Sequence, residues 1–202
     1  MSHKKLIIIS HDALVYDDLT YLGKLPVFKS LLECGARVNT LRSIYPTITY
    51  PVHVSIITGV YPNRHGVINN ELPEIGVLSS PWHWFSSSNK VPTLFKAAKK
   101  AGLTTAAVFW PVTGNDPDID YLIDEYWSQS EDDDLEDVFR RSGSNEQVMD
   151  RVVKKNLHML KGNERKHPEA DEFVFACACD IIREFKPDVL AIHPAAIDGA
   201  RH

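Results

Sequence analysis

A chain of 202 residues can bury one good hydrophobic core, with room for a small cap or insertion. Its hydrophobic fraction of 44% and charged fraction of 24% are ordinary for a soluble globular protein. A net charge of -5 with no basic stripe argues against a nucleic-acid backbone as partner, and no apolar run approaches the length needed to cross a bilayer.

Taken in chain order, residues 5–10 form a continuous apolar run rich in β-branched side chains. This reads as a strand buried on both faces, as in a parallel sheet. Residues 27–34, with Phe28, Leu31 and Leu32, read as a helix ended by Gly35, and residues 36–44 as a second strand delivering the chain to Thr49. Residues 93–100 read as a helix closed by Gly102, followed by a strand over 104–110. Longer helical patterns cover 146–160 and 170–185; Pro187 ends the second, and 188–193 is a final buried strand. Strands alternating with helices predict an α/β fold, a mostly parallel sheet flanked by helices in a single domain over 1–202. Residues 71–90 and 111–144 lack clear periodicity and read as loop or cap segments. The Trp-containing loop either lines a substrate pocket or packs over the core as a lid. The acidic run 131–134 reads as a solvated face or a helix start.

Residues 45–70 carry the most chemistry. Thr49 stands directly before a short apolar helix with Val54, Ile56, Ile57 and Val60, which Gly59 and Pro62 stop. Pro51 fits the first turn, where its missing N–H costs nothing. First-turn N–H groups without helical partners, together with the macrodipole, favour an anion such as phosphate there. Thr49 therefore reads as an N-cap residue whose hydroxyl points at an anion site. Taken alone, the segment leaves two readings of Thr49 open, a cap and a nucleophile.

In a parallel α/β sheet, ligands collect at the carboxyl ends of the strands. The first strand runs into His11-Asp12, the second leads to Thr49, and the last leads to Asp198 and His202. Asp198 and His202 are four apart, so a helical turn puts a carboxylate and an imidazole on one face, a pairing that suits Zn²⁺. A metal beside Thr49 would lower the pKa of its hydroxyl. The three cysteines, an odd count with no secretory segment, point to reduced thiols and a cytoplasmic setting. Cys177 and Cys179 should face different ways on a helix.

These residues carry a resemblance. Ile7-Ile-Ile-Ser-His-Asp12, Pro46-Thr-Ile-Thr-Tyr-Pro-Val-His53, Thr58-Gly-Val-Tyr-Pro-Asn-Arg-His-Gly66 through Asn70, and Ile197-Asp198 with His202 resemble the type I phosphodiesterase/nucleotide pyrophosphatase group of the alkaline phosphatase superfamily. Order and spacing agree along nearly the whole chain, with a weakly matching middle from about Pro111 to Phe185. The resemblance implies an alkaline-phosphatase-like core and a metal-dependent hydrolase of phosphodiester or pyrophosphate bonds, with Thr49 as a transiently phosphorylated nucleophile. It implies two divalent ions, Zn²⁺ by family habit, one held by Asp12 and Thr49 and the other by Asp198 and His202. Asn70 would donate to a phosphate oxygen in the transition state. The substrate would be a small phosphorylated compound, with nucleotides among the candidates. Tyr50 stands where relatives often have an aromatic residue that stacks on a nucleobase, and simple packing is its other reading. His193 stands where relatives often have a substrate-facing Tyr, and a core histidine is its other reading.

Two departures from the family pattern stand out. Val52 occupies a position where the family usually has Asn. The family also continues with an Asp-His pair and a further His that complete both metal sites, so the chain is expected to be the N-terminal part of a longer enzyme, truncated at its C-terminal end. Phosphonate or phosphomonoester hydrolysis on the same fold is the alternative activity, and a non-catalytic fragment is the alternative of another class. Sulfatase chemistry is disfavoured, because it needs a modified Cys or Ser where this chain has Thr49.

Overall fold

The computed structural model describes residues 4–76, 80–130 and 132–202, so part of the Trp loop (77–79) and Glu131 of the acidic run lie outside the described residues. Four strands form one parallel sheet in the order β1-β4-β2-β3, with β1 at Leu6–Ile9, β2 at Thr105–Val108, β3 at Tyr121–Ile123 and β4 at Val189–Ile192. The registers pair Ile9 with Ile192, Val108 with Ile192, and Val108 with Ile123. All four carboxyl ends therefore open on one rim.

Both faces of the central strands are buried, each by its own set of side chains. Successive strand residues point to opposite faces. Ala106, Val108, Leu190 and Ile192 meet Phe173, Val174, Cys177 and Ile181 of the Glu169–Glu184 helix, together with Val148, Met149, Val152 and Val153. Ala107 and Ala191 face the other way, against Ile57, Phe95 and Trp110. A third cluster, Tyr50, Val54, Val67 and Val112, packs the Thr49–Thr58 helix under Trp82. Small alanines at the sheet centre let helices approach both faces closely.

Several sequence readings need correction. The first strand is not buried on both faces: Leu6, Ile7 and Ile9 are each nearly half exposed, because β1 is an edge strand paired only with β4. The predicted helix forms as Pro26–Cys34 but buries no residue, with Leu31 63% exposed. Residues 36–44 form no strand, and Leu41 and Tyr45 project into solvent. Without a strand partner, the alternation of Val38 and Thr40 has nothing to pack against. The region over 111–144 is more ordered than its weak periodicity suggests. It holds β3 and the helix Leu135–Arg141, whose N-cap Asp134 accepts from the N–H groups of Glu136 and Asp137. The pattern over 146–160 becomes a helix interrupted by a π segment at Met149–Val153. Cys177 is buried and Cys179 exposed on the same helix, as their spacing implies. Among the described residues no helix is long and apolar enough to cross a membrane.

Candidate active site

The strand ends bring distant parts of the sequence to one pocket of about 300 Å³. Asp12, Thr49, Tyr50, Asn70, His193 and Asp198 all line it. His202 does not. It sits exposed at the end of the Ala196–Arg201 helix, with its Nε2 3.3 Å from Asp198 Oδ1.

Thr49 is the first residue of its helix rather than the N-cap. Ile48 occupies the cap in an extended conformation, and it offers no side-chain bond. The Thr49 hydroxyl is thus not used for capping; it donates to Asp12 Oδ2 at 3.1 Å. The Tyr50 N–H, left over at the helix end, donates to Asn70 Oδ1 at 2.8 Å. That bond fixes which end of the Asn70 amide is oxygen, and it leaves the NH₂ group free to serve the pocket. At the other end, Gly59 closes the helix with φ of 69°, donating to the Ser55 carbonyl. A left-handed cap of this kind favours glycine.

Two buried histidines that were quoted in the motif, but given no role, brace this arrangement. His53 Nδ1 lies 2.7 Å from the Thr49 carbonyl and Nε2 2.9 Å from Ser10 Oγ. A carbonyl can only accept, so Nδ1 carries the proton and Nε2 accepts from Ser10. Burial, then the neighbouring His193, pushes His53 down to about 3, so the ring is neutral. His65 is fully buried. Its Nδ1 accepts from the Val67 N–H, so its Nε2 donates to Ser55 Oγ at 2.9 Å. It ties the turn that carries Asn70 to the helix that carries Thr49. The spacing of His53, four residues after Thr49, was a signal that could have exposed the first of these roles.

The electrostatics concentrate on three groups. Burial raises the Asp12 carboxyl, but His193, His53 and the Thr49 hydroxyl outweigh it and hold the group below the usual carboxylate range. His193 is buried at 2%, with Nε2 3.5 Å from Asp12 Oδ2 and Nδ1 3.9 Å from Glu125 Oε2. Burial works against its protonation, but Asp12 and Glu125 prevail and raise it. Glu125, at the end of β3, is pushed up by burial to about 7. Sequence reasoning missed Glu125 because its strand is only three residues long.

Tyr50 is 1% exposed, and Trp82 meets its ring edge-on at 5.3 Å. Its faces are occupied by packing, so the aromatic surface open to the pocket comes from Trp82 and Trp127, whose rings lie 5.1 Å apart. The Trp loop therefore does line the pocket, and it also covers Tyr50.

The donor pairs Asp12 with Thr49 and Asp198 with His202 are of the types that suit Zn²⁺. They fall short in number, since three or four protein ligands per ion are usual. Among the described residues no group of three or more His, Cys, Asp or Glu is arranged to hold an ion.

Comparisons with known proteins identify the family and the fold. The family described as type I phosphodiesterase / nucleotide pyrophosphatase matches residues 6–202. Human ectonucleotide pyrophosphatase/phosphodiesterase family member 1 is 34% identical over 113 residues, covering 54% of this chain and 12% of that protein. A venom phosphodiesterase of Crotalus adamanteus is 32% identical over 93 residues, 43% of this chain and 11% of that one. Among solved structures, the phosphonoacetate hydrolase of Sinorhizobium meliloti superposes with a TM-score of 0.64 at 23% identity, covering 99% of this chain and 48% of its own. Murine ectonucleotide pyrophosphatase / phosphodiesterase 5 gives a TM-score of 0.56 at 19% identity, covering 98% of this chain and 45% of its own. These two likenesses establish the alkaline-phosphatase-like fold, and the chain spans about half the length of both. A match running through every strand and through the Thr49–Asn70 segment makes this chain a member of the type I phosphodiesterase / nucleotide pyrophosphatase family.

Proposed function

We propose that the whole protein hydrolyses phosphodiester or pyrophosphate bonds, with Thr49 as the nucleophile. The carrying observation is that the Thr49 hydroxyl, held by Asp12 at 3.1 Å, shares one pocket with the Asn70 amide, whose orientation the Tyr50 N–H fixes. In the proposed first step the Thr49 Oγ–P bond forms and the bond from phosphorus to the leaving oxygen breaks. The hydroxyl proton departs toward solvent, and the expelled oxygen takes up a proton. The Asn70 NH₂ donates to the non-bridging oxygen on which charge develops. Water then attacks the phospho-threonine phosphorus and gives up a proton, the Oγ–P bond breaks, and Oγ takes up a proton, releasing free Thr49 and a phosphate monoester.

Metal dependence belongs to the same proposal. Asp12 with Thr49, and Asp198 with His202, would each give two donors to a divalent ion, Zn²⁺ by donor type, with further donors from outside the described residues. Such an ion, when bound, lowers the pKa of the hydroxyl and stabilises developing negative charge. A nucleotide substrate is supported by the names of the matched relatives and by the AMP complex of murine family member 5. Phosphonate hydrolysis remains the alternative, compatible with the phosphonoacetate hydrolase likeness in fold. A reducing, cytoplasmic setting is the reading that three free thiols support. The test is Thr49→Ala in the whole protein, assayed with bis(p-nitrophenyl) phosphate and Zn²⁺. Turnover should fall to background, and unchanged turnover would refute the nucleophile assignment.

A further inference from the structure

The helix Ala196–Arg201 carries Asp198 into the pocket, yet it buries none of its own residues. A helix this short, with no packed face, does not hold its place by itself. Its N-cap residue, Ala195, gives it no side-chain bond. Polar contacts from elsewhere in the chain hold it instead. The Asp171 carboxylate takes both N–H groups at the helix start, Oδ1 accepting from Ala195 at 2.9 Å and Oδ2 from Ala196 at 3.0 Å. These are donors that a helix start leaves without internal partners. His167 fills the space beside the same turn. A Cβ on Gly199 would come to 3.0 Å from His167 Cδ2, and the ring's Nδ1 lies 3.2 Å from Asp171 Oδ1. At the far end Arg201 Nη2 lies 2.8 Å from both Asp18 oxygens.

These contacts differ in what stands behind them. The Arg201 side chain is 42% exposed, and an ion pair so open to solvent holds weakly and is screened by salt. Asp171 is 14% exposed and belongs to the first turn of the Glu169–Glu184 helix. Phe173, Val174, Cys177 and Ile181 of that helix are packed in the core against the sheet. The carboxylate clamp therefore ties the start of the Asp198 helix to the most rigid part of the fold. Asp198 lies in the first turn beyond the clamp, and its carbonyl accepts from the His202 N–H at 3.2 Å. Both side chains of the Asp198/His202 pair thus ride on the clamped turn.

We propose that Asp171, with His167 beside it, is a positioning residue that sets where Asp198 and His202 stand when they hold a divalent ion. It acts through the backbone of the helix start and not as a donor to the ion. The inference rests on the hydrolase reading above and adds to it residues outside the donor pairs.

The test uses the whole protein and reads zinc affinity, by competition with a chromophoric chelator, beside urea unfolding in chelator. Asp171→Ala should weaken one zinc-binding step by about 10–100-fold, the scale of losing a group that orients a metal ligand. Asp171→Asn keeps one oxygen acceptor and should recover part of that loss; it also serves where Asp171→Ala does not fold, and there it should weaken the step by at least about threefold. Asp180→Ala is the control. It lies on the same helix and loses bonds to Lys155 and Asn156, so it should lower the unfolding midpoint and leave zinc affinity within about twofold. Unchanged affinity in the Asp171 variants, or an equal loss in Asp180→Ala, would overturn the inference, as would an unaltered protein that binds no zinc. Activity is scored separately. If the zinc-loaded, unaltered protein does not turn over bis(p-nitrophenyl) phosphate, the hydrolase reading fails, and the affinities still decide the role of Asp171.

Discussion

Glu125→Gln should change how stability depends on pH. Glu125 moves from an ordinary 4.5 to about 7 in the folded chain, chiefly through burial. Between these values the native state binds more protons than the unfolded state, so unfolding free energy falls as pH rises through the window. A displacement of about 2.5 units corresponds to about 3 kcal/mol, reached in full only above pH 7. With 20% of the side chain still open to solvent, about 2 kcal/mol is the expected size. The amide of Gln fills the same space and cannot ionise. Relative to the unaltered chain, the variant should therefore gain about 2 kcal/mol between pH 4.5 and 8. His53 works in the opposite direction: held neutral down to about 3, it removes stability as pH falls below 6.5. The difference between the two proteins cancels that contribution. Urea unfolding followed by circular dichroism at several pH values, in chelator, gives the difference curve. A difference that stays constant across the range would refute the claim that burial of Glu125 outweighs the pull of His193.

Three further changes test other parts of the argument. Asn70→Ala should lower kcat of the whole protein by about 100-fold with a smaller change in KM, because its amide serves developing charge; equal changes in both would place Asn70 in ground-state binding alone. His53→Leu leaves the Thr49 carbonyl and Ser10 hydroxyl without their bonds, and should cost about 2–4 kcal/mol in chemical denaturation. A loss below about 0.5 kcal/mol would show that water replaces the imidazole without penalty. Phe173→Ala removes a fully buried ring between Phe109 and Phe139 and should cost about 3–5 kcal/mol, read as a shifted unfolding midpoint; an unshifted midpoint would mean that this cluster does not hold the Glu169–Glu184 helix to the sheet.

The central strands and their helices were legible because their patterns match their environments. Residues 188–193 read as a buried strand and 104–110 as a strand, and β4 and β2 are buried on both faces. The same kind of apolar run at residues 5–10 was misread in its burial, since hydrophobicity records what a strand would bury and not what covers it. Residues 36–44 failed as a strand for a related reason. Pairing is non-local, and Val38 and Leu41 carry β propensity with no partner beside them. The positions of Thr49, Asn70 and Asp12 could be placed because short turns link them to strong elements. Glu125 could not, because a three-residue strand leaves almost no periodic signal. Its distinctive property, a carboxyl pushed up by burial beside His193 and Tyr50, depends on groups far away in sequence.

The edge position of β1 has a consequence for assembly. Its outer row of backbone N–H and C=O groups meets no strand among the described residues, and Leu6, Ile7 and Ile9 stand beside it half open to water. Such a strand is a template for another strand, whether from the same polypeptide or a second molecule. Asp12, just beyond this strand, does not depend on such an addition: its N–H donates to the Pro194 carbonyl and its carboxylate accepts from the Ala13 N–H and the Thr49 hydroxyl. The outer edge is therefore open to a further strand while the carboxylate at its end is already held from the inner side of the sheet.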